Sequence, residues 1–191
     1  MSRDAVLRAA KQRFAVEGYE KTTLRAIASD ARVDPSMVLY LFGSKAELFR
    51  ESLRLILDAD ALVAALTEGD DDIGTRMVRT YLGIWEHRDT GASMVAMLQS
   101  ATSNPDAHEA FRAFMQSYVL TAVSDALGGG EQARLRAMLA ATNLVGTAIL
   151  RYVMRVPPLA TLPADDVVNL IGPSVTRYLT ASAEELGLPA L

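Results

Sequence analysis

The sequence TTLRAIASDARVDPSMVLYLFGSK, residues 22–45, decides how this chain folds. Its first part has apolar residues at the spacing i, i+3, i+4 and i+7, which places one apolar stripe on one face of a helix. Those residues are Leu24, Ile27, Ala28 and Ala31. Thr22 or Thr23 can supply the N-cap, so a short helix is predicted to begin there.

A second short helix is predicted three residues later. Asp34 is a favourable N-cap residue, and Pro35 presets φ for the first helical position. The helix can extend only to about Phe42 because a Gly-Ser pair interrupts it, and Ser44 with Glu47 forms a capping box for the next helix. Helix, turn and short helix are the outline of a helix-turn-helix, although an ordinary helical hairpin has the same outline.

The second helix is too short to bury more than one face. Val38 and Phe42 are expected on the inner face, against the helix before it. The side chains that remain are expected to point outward: Ser36, Met37, Leu39 and Tyr40. The N-terminal residues of a recognition helix meet base edges in the major groove, so these side chains are candidates for reading DNA.

The segment over residues 7–48 resembles the DNA-binding domain of the TetR family of bacterial transcriptional regulators. The matching features are a first helix closed by Gly18 and the runs Thr22-Thr23-Leu24-Arg25 and Phe42-Gly43-Ser44-Lys45. The resemblance implies an all-α fold of about nine helices. It implies a helix-turn-helix three-helix domain over residues 1–46 and a helical ligand-binding and dimerisation domain over residues 47–191.

Three residues depart from the family's usual pattern. Arg32 stands where Gly is usual, at a position that often needs positive φ. Leu39 stands where many members have Tyr, and Leu41 where many have His or Tyr, so Tyr40 is expected to take over part of a phosphate contact. The predicted phosphate contacts are Thr23, Tyr40 and Lys45, and the residues predicted at or beside base edges are Arg25, Ser36, Met37 and Leu39.

Composition and charge are consistent with a DNA-binding regulator. Half of the residues are apolar, and the absence of cysteine excludes disulfides and cysteine-based zinc sites. Residues 1–57 carry ten Lys and Arg against seven Asp and Glu, whereas the rest carries nine against sixteen. The start lacks a signal-peptide pattern, and the most apolar stretch, Met138–Leu150, is too short to span a membrane. A cytoplasmic protein without a membrane partner is expected.

Six longer helices are predicted after the second short one. Their approximate ranges are 44–66, 73–87, 90–102, 105–127, 131–156 and 164–183, with a kink expected at Gly172-Pro173 in the last. The acidic run Asp70-Asp71-Asp72 is interpreted as a solvated linker rather than as a metal site. The two histidines lie on different helices, and no catalytic spacing or phosphate loop is present, so neither an enzyme nor a cofactor is expected.

Methionine and aromatic residues on the fifth to seventh predicted helices have two interpretations. They can simply be core residues, or they can line a cavity for an apolar or aromatic effector, since methionine is adaptable and polarisable. The family resemblance implies such a pocket in this region. The candidates are Met77, Tyr81, Trp85, Met94, Met97, Phe111, Phe114, Met115 and Tyr118.

The eighth predicted helix is apolar nearly all round, which favours a second subunit on one of its sides. The last two helices are expected to form a four-helix dimer interface. Its candidate residues are Leu139, Gly146, Ile149, Leu150, Val153, Leu170, Val175 and Tyr178. The expected function is a homodimeric repressor released from a palindromic operator when an effector moves the sixth helix against a long fourth helix. The alternative is a helical sensor or interaction protein whose N-terminal hairpin does not read DNA.

Overall fold

The computed structural model describes residues 2–190, and within them the chain forms α-helices and no β-strand. The helices are α1 Ser2–Lys21, α2 Leu24–Ala31, α3 Pro35–Phe42, α4 Lys45–Leu53, α5 Ala59–Thr67, α6 Ile73–Glu86, α7 Arg88–Ser103, α8 Pro105–Phe114, α9 Leu120–Ala126, α10 Gly130–Ala148, α11 Ala164–Thr180 and α12 Ala183–Leu186. Two π-helical segments, Met115–Val119 and Ile149–Val153, follow α8 and α10. The all-α prediction is confirmed, and none of the described helices is long and apolar enough to cross a membrane.

The three predicted caps around the helix-turn-helix are present. The side chain of Thr23 accepts a hydrogen bond from the backbone N–H of Ala26 at 3.1 Å. Asp34 caps α3, and Ser44 caps α4 by accepting from the N–H of Glu47 at 3.0 Å. Each cap satisfies a backbone donor that has no partner inside its own helix, so the helix starts follow from local sequence.

The first compact unit contains α1–α4, α7 and α8. In it α1 packs against α2, α4 and α7, and α8 packs against α4 and α7. Its centre is an aromatic cluster in which Phe14 and Phe49 meet edge to face at 5.0 Å between ring centroids, and Tyr19 meets Phe49 at 5.2 Å. Gly18 interrupts α1 at φ 74°, which confirms the predicted stop. This break exposes the N–H of Tyr19, which donates to Ser100 Oγ at 3.0 Å.

An ion pair attaches α2 of the helix-turn-helix to α1. The guanidinium of Arg13 binds Asp30 through two nitrogens, at 2.6 and 3.0 Å, and Glu17 through a third at 2.7 Å. The hydrogen bond and charge of Asp30 raise the pKa of Arg13 above its usual value, and Arg13 in turn lowers the pKa of Asp30. A two-nitrogen contact of this kind fixes orientation as well as distance, so α2 is held in one position on α1.

The second compact unit contains α5, α6 and α9–α12. Its closest helix crossing joins α6 and α11, where a Cβ built on Gly74 would lie 2.2 Å from the carbonyl oxygen of Gly172. The N–H of Gly74 donates to Thr176 Oγ1 at 3.0 Å. At the end of α11, Arg136 of α10 donates to the carbonyl oxygens of Tyr178 and Ala181 at 3.2 and 2.6 Å. A cation at this place is favourable because helix C-termini carry unpaired carbonyls and partial negative charge.

The predicted continuous helix over residues 44–66 is wrong. α4 ends at Leu53, and the next N–H groups, those of Arg54 and Leu55, bond to carbonyls three residues back. These tight turns end the α-helix before α5 begins at Ala59. Asp58 stands directly before α5, at the position where an N-cap residue is favoured, and the sequence interpretation overlooked this signal.

The two units divide the chain differently from the predicted functional domains. One unit runs to Asp58 and also includes His87–Ser117, and the other consists of Ala59–Glu86 and the chain from Tyr118 onward. The difference arises because α7 packs on α1 and α8 packs on α4, the helices that flank the helix-turn-helix. The assignment of DNA binding to residues 1–46 and of ligand binding to residues 47–191 stays a prediction.

Candidate nucleic-acid interface and effector region

α3 presents an apolar face to water. Met37 is 40% exposed, Leu39 50% and Tyr40 85%, whereas Val38 and Phe42 are buried as predicted. Together with Arg25 and Ser36, which are also exposed, these three side chains form what we call the recognition surface. Packing within the chain covers only part of it, and exposed apolar patches commonly mark binding sites.

Ser36 and Asp34 are joined by two hydrogen bonds at the start of α3. The backbone N–H of Ser36 donates to Asp34 Oδ1 at 2.8 Å, and the Ser36 hydroxyl donates to the same oxygen at 2.6 Å. Both bonds favour the ionised carboxylate and lower the pKa of Asp34. The single hydroxyl proton of Ser36 is therefore committed to Asp34.

Three exposed cations lie around the helix-turn-helix, and their side chains form no ion pair within residues 2–190: Lys21, Arg25 and Arg32. Arg32 occupies the left-handed region at φ 55° and ψ 47°, so the turn expected to suit Gly does have positive φ. Thr23 Oγ1 accepts from Ala26, which leaves its hydroxyl proton available to a phosphate oxygen. These groups suit attraction of the DNA backbone.

Lys45 has contacts inside the protein that sequence reasoning missed. Its ammonium donates to the carbonyl oxygen of Glu20 at 3.3 Å and lies 4.4 Å from the centre of the Tyr19 ring. Partial burial lowers the pKa of Lys45. An ammonium has three donors, so one bond to Glu20 leaves capacity for a phosphate. No local pattern signals this contact, because the partner lies 25 residues away in sequence.

The nine predicted effector residues are divided between the two units. Met77, Tyr81, Trp85 and Tyr118 belong to the second unit, and Met94, Met97, Phe111, Phe114 and Met115 to the first. Most are buried, Met97 completely. A groove of about 850 Å³ beside α6 and α11 is lined by other residues, among them Asp72, Thr176 and Arg177. The effector role of the nine residues stays a prediction.

An aromatic cluster in the second unit extends the predicted set. Trp85 stacks on Tyr152 with 5.5 Å between ring centroids and 7° between planes, and it meets Tyr81 edge to face at 6.2 Å. The Tyr152 hydroxyl donates to Glu86 Oε1 at 2.7 Å. Burial raises the pKa of Tyr81 to about 12, and burial with the Glu86 contact raises the pKa of Tyr152 to about 12. Both phenols are therefore neutral at physiological pH.

Arg151 holds this cluster against the following loop. Its guanidinium donates to the carbonyl oxygens of Leu159 and Leu162, each at 2.7 Å, and to Glu86 Oε1 at 3.3 Å. The side chain is 9% exposed, so these bonds replace most of its hydration. Neither Arg151 nor Tyr152 was predicted, because their shared partner Glu86 lies more than 60 residues earlier in the sequence.

The candidate dimer residues differ in accessibility. Leu150 is 42% and Leu170 63% exposed, whereas Val175 is completely buried in its own subunit and is dropped from the proposed interface. A Cβ on Gly146 would meet no atom within 4 Å, so space is open beside it. The remaining candidates, Leu139, Ile149, Val153 and Tyr178, are half-buried. Met138, Met154 and Val156, on the same chain segment, are exposed as well.

The acidic run before α6 has structural roles. Asp71 pairs with Arg79 at 2.9 Å. Asp72 Oδ2 accepts from the N–H of Thr75 at 3.2 Å and from the hydroxyl of Thr176. Among residues 2–190 no group of three or more His, Cys, Asp or Glu side chains is arranged to hold a metal ion.

Two family models match the chain. The model described as bacterial regulatory proteins, tetR family, matches residues 6–52, which contain the helix-turn-helix. The model described as tetracyclin repressor-like, C-terminal domain, matches residues 71–179, more than half of the chain. No curated protein matches the sequence.

Solved structures share the fold over nearly the whole chain. A TetR-family regulator from Streptomyces coelicolor is 35% identical, with 93% of this chain and 94% of that chain covered and a TM-score of 0.65. NalD of Pseudomonas aeruginosa, the secondary repressor of the MexAB-OprM multidrug efflux pump, is 19% identical, with coverages of 95% and 96% and a TM-score of 0.64. SmeT in complex with triclosan is 18% identical, with coverages of 88% and 90% and a TM-score of 0.60.

Proposed function

The chain belongs to the TetR family of bacterial transcription regulators, and from that premise we propose that it is a homodimeric, ligand-responsive repressor of a palindromic DNA operator. The observation that carries the proposal is the recognition surface on α2 and α3, which leaves the apolar side chains Met37, Leu39 and Tyr40 40–85% exposed. The capped helix-turn-helix that presents this surface coincides with the matched regulatory-protein model. As a member of a family of regulators, the protein is assigned no catalytic role.

DNA binding is proposed to place α3 in the major groove. Arg25, Ser36 and Met37 are then at or near base edges, with Leu39 beside them. Thr23, Tyr40 and Lys45 are proposed to contact phosphates, which fix position without reading sequence. The exposed Tyr40 supports its role, because its ring is free to reach outward.

Dimerisation is proposed to use α10, the π-helical segment after it and α11. The exposed apolar side chains Leu150 and Leu170 support this assignment, since 42% and 63% of their surfaces stay in contact with water in the single chain. A two-fold dimer presents two copies of α3 to half-sites about 34 Å apart. Two weak contacts of this kind combine into one strong one. We place this assembly in the cytoplasm.

The effector is proposed to be a small apolar or aromatic molecule. The methionine and aromatic residues of the predicted set support this class, and Tyr152 joins them through its stacking on Trp85. The triclosan bound to SmeT, which shares the fold, is an aromatic compound. Within the second unit the candidate residues are Met77, Tyr81, Trp85 and Tyr118 together with Tyr152, and the predicted residues of the first unit are a separate candidate group.

The release mechanism needs revision because α4 is short. Within the first unit, α7 reaches α1 through the Ser100–Tyr19 hydrogen bond, and α8 packs on α4. We propose that the effector favours a state in which α7 and α8 shift these two helices, so that the half-site spacing is lost. A ligand can do so only if it binds that state better than the DNA-bound one.

The deciding experiment measures binding of the purified protein to randomised duplexes through successive rounds of selection. A repressor of the proposed kind enriches a palindrome, and the logarithm of its affinity falls steeply with the logarithm of salt concentration. Arg25→Ala is expected to weaken binding while the thermal transition of the protein stays in place. Absence of any enriched palindrome at low salt would favour the alternative, a helical sensor whose N-terminal hairpin does not read DNA.

A further inference from the structure

We propose that Ser36 reads the operator only as a hydrogen-bond acceptor, and that it therefore selects bases with an amino group in the major groove, adenine or cytosine. The inference rests on the proposed function and deepens it. It concerns the hydrogen-bond polarity of one residue of the recognition surface.

The polarity of Ser36 is set by Asp34. Their oxygens are 2.6 Å apart, and an ionised carboxylate has no proton to give, so the hydroxyl must be the donor. The backbone N–H of Ser36 binds the same carboxylate oxygen, which holds both groups in place. The lowered pKa of Asp34 keeps the carboxylate ionised at neutral pH. Ser36 then presents only lone pairs to a ligand.

This polarity excludes several partners in DNA. Phosphate oxygens accept hydrogen bonds, as do O6 and N7 of guanine and O4 of thymine. Each of these acceptor atoms would meet the acceptor oxygen of Ser36, and no proton would be available to form a hydrogen bond between them. The remaining donors in the major groove are the N6 amino group of adenine and the N4 amino group of cytosine. A serine with a free proton would lack this restriction.

The resulting base preference has an unusual form. Every base pair has one amino group in the major groove, on adenine in one case and on cytosine in the other. Ser36 therefore distinguishes which strand carries the amino base rather than A·T from G·C. At the position it contacts, we expect A or C on one strand with little preference between them, and T or G on the other.

The test compares DNA selections with the full-length protein and three variants. Ser36→Ala removes the hydroxyl and should abolish the A-or-C preference at one position of each half-site while leaving the other positions unchanged. Ser36→Thr keeps a hydroxyl beside Asp34 and should retain the preference. Asp34→Gly frees the hydroxyl proton at little cost to capping and should admit G and T at the same position.

A second measurement removes the amino group from the DNA instead of the hydroxyl from the protein. Purine 2′-deoxyribonucleoside in place of deoxyadenosine at that position deletes only the N6 amino group. Loss of this one contact should weaken binding of the unsubstituted protein about fivefold to tenfold and leave Ser36→Ala unaffected. The thermal transition of each variant shows that it is folded.

The outcomes separate this inference from the function it rests on. If no palindrome is selected by the unsubstituted protein, both proposals fail. If a palindrome is selected but Ser36→Ala has the same base preferences, only the present inference fails. It also fails if the position that depends on Ser36 discriminates A·T from G·C pairs instead of selecting which strand carries the amino base, or if the purine substitution weakens both proteins equally.

Discussion

α3 and α6 use their apolar residues in opposite ways. α3 buries Val38 and Phe42 and leaves Met37, Leu39 and Tyr40 in contact with water. α6 buries an apolar face throughout its length and crosses α11 so closely that no side chain fits at Gly74. The side chains of α6 are thus constrained by packing within the chain. The exposed side chains of α3 are less constrained by packing, so they can suit a binding partner.

Two tyrosines show the same difference. Tyr40 of α3 is 85% exposed, and Tyr81 of α6 is 7% exposed. Burial raises the pKa of Tyr81 to about 12, because ionisation inside the protein would place an unsolvated charge there. Tyr81 of α6 is therefore enclosed by its own chain, whereas Tyr40 of α3 is open to a partner from solution.

The largest expected effect concerns Gly74. Gly74→Ala would place a methyl group 2.2 Å from the Gly172 carbonyl oxygen and 2.3 Å from Thr176 Oγ1, so the two helices must move apart. We expect a loss of about 3 kcal/mol in the free energy of unfolding, measured with denaturant. Gly83→Ala in the same helix is the control: its methyl meets no atom within 4 Å, and stability should rise by about 0.5 kcal/mol. Equal effects of the two changes would refute the close crossing.

Lys45, at the start of α4, tests whether α4 also provides a side chain for DNA binding rather than only for packing. Lys45→Met keeps much of the apolar stem over Tyr19 but removes the charge. Affinity for all DNA sequences should fall about tenfold and the salt slope should decrease by about one unit, since one phosphate contact is lost. If the thermal transition drops while the salt slope is unchanged, the ammonium serves only Glu20 and Tyr19 inside the protein.

Arg32 tests whether the helix-turn-helix turn is strained. A side chain in the left-handed region is disfavoured by contact of its Cβ with the backbone. Arg32→Gly should therefore increase the free energy of unfolding by about 1 kcal/mol. Arg32→Ala keeps the Cβ and should change stability much less. A decrease in stability with Gly would show that the Arg32 side chain makes a stabilising contact in solution.

The smallest expected effect is the pH dependence of the α3 cap. Because the folded-state pKa of Asp34 is lower than its unfolded value, its stabilisation is present above the unfolded pKa and is lost as pH falls through the folded one. The stability difference between the unsubstituted protein and Asp34→Asn should therefore shrink below about pH 4. Urea unfolding at pH 7, 5 and 3.5 measures it. A difference that stays constant down to pH 3.5 would contradict the charged cap.

The sequence predicted α2, the turn and α3 well because their signals are local. The caps Thr23, Asp34 and Ser44 act on N–H groups two or three residues away, and the structure has all three bonds. The break after α4 was missed because the apolar pattern of residues 44–66 is compatible both with a continuous α-helix and with the tight turns that follow Leu53. One part of the capping box was also wrong: the Glu47 carboxylate binds Arg50 rather than returning to the cap.

The sites were less predictable, because their geometry depends on distant parts of the chain. The Lys45 contact with Glu20 and the Trp85 stacking on Tyr152 join residues far apart in sequence. Val175 has the same apolar character as its exposed neighbour Leu170, yet it is completely buried. The spacing of apolar residues alone does not identify which face of α11 packs within the chain.

The π-helical segment Met115–Val119 adjusts the helical phase of the buried residues between α8 and α9. Buried positions advance by three or four residues through Ala107, Ala110 and Phe114, then by five to Val119, and by four again to Val123. At 3.6 residues per turn, one additional residue would otherwise rotate the buried stripe by about 100°. The wider π-helical turn contains the additional residue, so the buried stripe keeps its direction. A single inserted residue would have to be accommodated in the same way. Deleting Ser117 should therefore yield a regular α-helix with the same stripe, and this segment is a natural place for chain length to vary by one.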